Sequence, residues 1–186
     1  MLVFVFFVLI TCLIAGIFGI AHDQVTYSIS PEYYIHFKFH QFQISEFLTT
    51  PPRLGVSLVG FLATWWTGLI IGGIIGLLGI TQENFSSLMK VKFKSLIYVF
   101  LVTITFSVIG YFVGVIKASG MKDWPISYLN DGSDISLDYQ IEKTIDIANF
   151  IKVEMIHNFS YLGGLAGLIL GVFYYVRKSK SFHKSQ

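Results

Sequence analysis

Four long apolar runs, at residues 2–21, 56–80, 96–116 and 159–176, interrupt an otherwise mixed chain, and none contains Asp, Glu, Lys, Arg or His. At about 1.5 Å of rise per helical residue each run covers roughly 27 to 37 Å, against a hydrocarbon core about 30 Å thick. In lipid every backbone polar group must be satisfied within its own segment, so the pattern predicts four transmembrane helices. Composition agrees: 54% of residues are hydrophobic and only 13% charged, about half the roughly 25% charge of soluble domains.

Two of the runs carry glycine at every fourth position, Gly68/Gly72/Gly76 and Gly163/Gly167/Gly171, and a third carries Gly110/Gly114. Residues four apart share one stripe of a helix. In a membrane, where hydrophobic burial does not drive helices together, a stripe without side chains lets backbones approach closely. The stripe in the second run extends backwards through Gly60 and Thr64. The expected fold is an all-α membrane protein: one domain, a four-helix transmembrane bundle with glycine-stripe packing and short interfacial helices on its outer side. The stripes serve contacts within one chain or between chains, as a homo- or hetero-oligomer; spacing leaves both open.

Charge sets the expected orientation. The loop at 81–95 and the tail at 177–186 hold seven basic residues against one acid, Glu83, whereas the loops at 22–55 and 117–157 hold six basic residues against ten acids. The basic sides face the cytoplasm, which places both termini inside and the two long loops outside. Because the basic residues are split between membrane-flanking positions, no nucleic-acid face is expected. The single cysteine, Cys12, lies in the first run, so no intramolecular disulfide forms. A bacterial plasma (inner) membrane is the expected location. Gly19 and Ala21 resemble a signal-peptidase site, but the run has no basic n-region and is longer than a signal h-region, so it is expected to remain as a span.

The outer segments carry the candidate chemistry. Ser30-Pro31 reads as a helix start, and Tyr33, Tyr34, Ile35, Phe37, Phe39 and Phe42 then point in nearly all directions, as expected of a short helix in the headgroup region or between spans. On it Glu32, His36 and His40 are four apart and share a face. Thr49/Thr50 and Pro51/Pro52 cap the second span, with Arg53 as a lipid anchor, and Trp65 and Trp66 are expected to pack between helices. The second outer loop is expected to turn at Asn130, Asp131 and Gly132 and to continue as an amphipathic helix from Leu137 to Met155. Glu154 and His157 form an E-x-x-H spacing at the mouth of the fourth span, at the depth where His22 and Asp23 end the first. Two metal-ligand groups follow: His22, Asp23, Glu154 and His157, and separately Glu32, His36 and His40, with donors that suit zinc, copper or iron.

Blocks HDQVTYSISPEYYIHFKFHQF, FLATWWTG and HNFSYLGGLAG resemble a group of small bacterial integral membrane proteins of unassigned function. The resemblance implies a four-span bacterial membrane protein and no residue role. Apolar spans argue against a pump, which needs ionisable groups or broken helices at mid-membrane. No intramembrane protease set, P-loop, dinucleotide fingerprint or C-x-x-C is present. Two readings remain. The first is a non-enzymatic structural or accessory subunit that docks a partner or substrate through its outer loops. The second is a protein that binds a transition metal or handles protons at the outer interface.

Overall fold

A computed structural model describes residues 1–78, 85–120 and 146–183. All its elements are helical. Four are long: α1 (Leu2–Ile29), α4 (Pro52–Leu77), α5 (Phe85–Ser119) and α6 (Ile147–His183), with the short pieces α2 (Pro31–Tyr33), a π turn (Tyr34–Lys38), α3 (Phe39–Gln41) and a 3-10 turn (Glu46–Thr49) between the first two. Each long helix is long and apolar enough to cross a membrane. The protein is an all-α, four-helix membrane bundle.

The helices outrun the apolar runs that predict them. α1 continues past residue 21 through His22, Asp23 and Gln24, where hydroxyls return to its own carbonyls: Thr26 Oγ1 to His22 at 3.2 Å and Ser28 Oγ to Gln24 at 3.0 Å. It stops at Ser30, whose extended backbone precedes Pro31. Ser30 then caps α2, accepting from the Tyr33 N–H at 3.3 Å, as the Ser-Pro start predicts. α6 is continuous from Ile147, so Glu154 and His157 lie along a helix rather than at its mouth. The expected turn at Asn130 to Gly132 and the helix expected from Leu137 lie, up to residue 145, outside the described residues.

The bundle is two tight pairs, α1 with α4 and α5 with α6, which touch each other far less. Glycine explains the pairing. A side-chain carbon at Gly19 would fall on the Gly60 carbonyl, and one at Gly60 on the Gly19 carbonyl. A side-chain carbon at Gly68 would stand 2.6 Å from Cys12 Cα, one at Gly72 2.9 Å from Thr11 Cβ, and one at Gly76 3.0 Å from the Phe4 ring. In the other pair, a side-chain carbon at Gly163 would stand 2.6 Å from Phe106 Cβ, one at Gly167 2.8 Å from Val99 Cα and one at Gly171 3.0 Å from the Ser95 carbonyl. Side-chain carbons at Gly110 and Gly114 of α5 would stand 2.7 Å from Phe159 Cβ and Lys152 Cα of α6, respectively. The stripes thus face partners within the chain, and Thr64 ties α4 to α1 through a 2.9 Å bond to the Ala15 carbonyl.

Several local expectations change. Trp65 and Trp66 are 40% and 45% exposed, on the bundle's flank rather than between helices. Arg53 bonds the Gln24 amide oxygen at 2.8 Å and Ser28 Oγ at 3.2 Å and stacks over Tyr27, joining α4 to α1 instead of projecting as a lone anchor. Pro51, not a threonine, occupies the position before α4, with no side-chain cap. Lys92 turns inward from α5 and donates to the Gly76 carbonyl at 2.7 Å, satisfying one of the carbonyls orphaned at the end of α4.

Candidate functional site

Residues 31–41 do not lie flat on the bundle. Tyr33, Tyr34 and Phe39 are buried against Val56 and Val59 of α4 and Val153 of α6, so the segment closes one end of the bundle as a plug. Its all-round aromatic character follows from that position: it has protein on most sides. Tyr33, the last residue of α2, and Tyr34, the first of the π turn, both reach His157 of α6. Tyr33 stacks on the His157 ring, with 5.2 Å between centroids and 14° between planes.

Beneath this plug three metal-ligating side chains meet. His22 and Asp23 come from α1 and His157 from α6, and one donor atom from each lies within 4.8 Å of the others. The His22 and His157 rings are 4.9 Å apart, well inside the separation that two imidazoles need to reach one ion. Asp23 is 3% exposed and His157 5%. His22 Nδ1 contacts Asp23 Oδ1 at 3.2 Å. With the proton on Nδ1, the Nε2 lone pair is free, the tautomer that carboxylate-bound histidines present to metals. His22 Nε2 and Asp23 Oδ2 are buried without a hydrogen-bond partner among the described residues. An unpartnered buried polar group costs roughly 1 to 3 kcal/mol, so two in one cluster call for a ligand that satisfies both.

Tyr34 completes the surroundings. Its hydroxyl lies 2.5 Å from Thr26 Oγ1 and 3.4 Å from His157 Nε2, a contact between residues 123 apart in sequence. Burial, reinforced by the Asp23 carboxylate, pushes the Tyr34 phenol far above its ordinary range, so it stays a neutral hydroxyl. Burial likewise raises Tyr33. Lys38 is almost fully buried, donates to Gln41 Oε1 at 3.1 Å and stands near the Tyr33, Phe37 and Phe42 rings. Burial lowers its pKa, and the Asp23 carboxylate acts in the opposite direction.

The structure separates other residues from this cluster. Glu154 lies on a neighbouring face of α6 and pairs with Lys117 of α5 at 3.9 Å. Residues three apart on a helix differ by about 60° around the axis, enough for His157 to face α1 while Glu154 faces α5. Glu32, His36 and His40 form no ligand-spaced group among the described residues. Their segment contains the π turn Tyr34–Lys38, whose wider turn breaks the four-residue alignment. Glu32 instead accepts from Ser30 Oγ at 3.1 Å, and His40 is exposed. Burial lowers the His36 pKa, partly offset by the Glu32 carboxylate.

Sequence reasoning missed Tyr34, Thr26 and Lys38. Tyr33 and Tyr34 read as apolar bulk because aromatic residues crowd that stretch. The missed signal is that a buried phenol must bring its hydroxyl to a partner. Comparison with protein-family models, with curated proteins and with solved structures gave no match, so the functional reading below stands on geometry and chemistry alone.

Proposed function

We propose that this multi-pass membrane protein binds one divalent transition-metal ion at His22, Asp23 and His157. The observation that carries the reading is the convergence of two imidazoles and a carboxylate, from helices far apart in sequence, with His22 Nε2 and Asp23 Oδ2 buried and unpartnered. Donor atoms around one tetrahedral ion with bonds of about 2.1 Å stand roughly 3.4 Å apart, so small rotations of these side chains bring them to bonding distance. Two imidazoles with one carboxylate suit zinc or iron(II), and three protein ligands leave a coordination position for a further group. Tyr34 orients His157, and Tyr33 shields it by stacking. The surplus of acids in the loops on this side supports a location at the outer face of a plasma membrane with both termini cytoplasmic. Labelling of Gln41→Cys in intact cells by a reagent that cannot cross the membrane checks that side.

Elemental analysis of protein purified without chelator tests the metal reading. One equivalent of zinc or iron is expected, falling below a tenth of an equivalent in His157→Ala and in Asp23→Asn. Acidification should release the ion, because protons compete for the imidazole nitrogens. Protein that refuses zinc and iron at micromolar concentration, while remaining folded, would retire the proposal and return the accessory-subunit reading to first place.

A further inference from the structure

Directly beside the polar cluster, between the two helix pairs, is a cavity of about 520 Å³ walled by all four long helices. That size falls within the roughly 300 to 1,000 Å³ of ligand-holding pockets. Along α6 it runs from Ser160 to Leu168, about 12 Å of helix axis. Its upper end stops one side chain short of the cluster, whose His22, Asp23 and His157 stand just outside the wall: the Phe18 ring, in the wall, lies 5.7 Å from the His22 ring, and Ser160, also in the wall, is one helical turn from His157 and donates to its carbonyl at 2.7 Å. Trp66, Ile70 and Leu165 belong both to the wall and to the exposed flank, so the cavity opens sideways, where lipid lies.

The wall is more apolar than its residue types suggest. Its Thr and Ser hydroxyls, on Thr11, Thr64, Thr67, Thr103 and Ser160, lie against backbone carbonyls of their own helices at 2.6 to 2.8 Å, with the Thr64 hydroxyl shared with the Ala15 carbonyl of α1 at 2.9 Å. With those donors occupied, the space suits water poorly, since a buried water needs two to four polar partners. It suits hydrocarbon well.

Gly164 gives an independent sign. Gly163 and Gly167, its neighbours on α6, are forced by the approach of α5, whereas a side-chain carbon at Gly164 would meet only Thr103 Oγ1, at 3.9 Å. Helix packing does not require glycine there. Its missing side chain keeps the cavity open.

We infer that this cavity takes the hydrocarbon tail of a single-chain amphiphile drawn from the bilayer, with an oxygen-bearing head at His22, Asp23 and His157. The tail site stands on the cavity and on Gly164. The placement of the head rests on the metal reading above, where an oxygen donor fills the fourth position of a three-ligand ion.

Oleic acid serves as the tailed probe and acetate as the tail-less one, with cobalt(II) replacing the native ion for its visible spectrum. Native mass spectrometry of delipidated full-length protein in detergent should show one retained oleate in the wild type, at least tenfold weaker retention in Gly164→Leu, and wild-type retention in Gly73→Leu. A side-chain carbon at Gly73 meets nothing within 4 Å, so that variant controls for added bulk outside the cavity. In the cobalt form, oleate should shift the absorption bands where equimolar acetate does not, and Gly164→Leu should lose the shift while keeping the metal. Undiminished oleate retention in Gly164→Leu overturns the tail site. Should that variant not fold, a chain-length series from octanoate to oleate on the wild type decides, and affinity independent of length overturns the tail site. Oleate retained through Gly164 without cobalt binding would sink the metal reading and leave the tail site standing; cobalt bound without oleate would do the reverse.

Discussion

The two kinds of interface in this bundle are built on opposite plans. Within each pair, α1 with α4 and α5 with α6, glycine removes side chains and backbones nearly touch, as at Gly19 with Gly60 and Gly167 with Val99. Between the pairs, bulky rings such as Phe18 and Phe100, in edge-to-face contact at 4.9 Å, hold the helices apart, leaving a cavity and a cluster of buried polar groups. Close packing in lipid relies on dispersion contacts that need matched backbones, and it leaves no room for a ligand. The loose interface gives up that contact and gains space and donors. The pairs act as the frame, and the seam between them is where a ligand fits.

Breaking the frame should have the largest effect. In Gly167→Leu the first side-chain carbon would stand 2.8 Å from Val99 Cα, a backbone atom that cannot step aside. A loss of about 3 kcal/mol or more is expected, at or beyond the upper end for overpacked cores. Thermal unfolding in detergent reads it, and wild-type stability would show that the α5–α6 interface is looser than the frame described here.

Disturbing the seam should cost binding before stability. Tyr34→Phe removes the hydroxyl that joins Thr26 to His157, while Thr26 keeps its backbone partners at His22 and Asp23. Metal affinity should fall about tenfold, the lower end for losing an orienting partner, with the unfolding midpoint little changed. Isothermal titration with zinc measures it. Complete loss of zinc would promote the phenol to a ligand, and unchanged affinity would remove Tyr34 from the site.

The smallest effect belongs to the surface that neither frame nor seam uses. Gly73→Leu should stay within about 0.5 kcal/mol of the wild type, because its position is open. Its thermal unfolding sharpens the comparison with Gly167→Leu: the same exchange within two membrane-spanning helices, separated by what lies opposite. Equal losses in the two variants would mean that the cost does not come from what lies opposite the glycine, since helix propensity alone favours leucine at both positions.

What the chain determines by itself is what repeats along one helix. Runs of apolar residues of bilayer length fix four spans, because lipid offers the backbone no other hydrogen-bond partners. Four-residue spacing marks Gly68, Gly72, Gly76, Gly163, Gly167 and Gly171 as contact positions, and Ser30 before Pro31 marks a helix start. The polar residues His22, Asp23, Glu154 and His157 were visible as candidates for the same reason: apolar spans make every nearby ionisable group conspicuous. Which helix each stripe meets was not legible, since helices of similar hydropathy are equivalent to lipid and only shape, atom against atom, selects α1 for α4 and α5 for α6. That choice turns His157 toward α1 and Glu154 toward Lys117, sets Tyr34 over the cluster, and opens a space beside Gly164. Those outcomes depend on rotation of each helix about its axis, a quantity fixed by contacts across the bundle and by no pattern within a single span.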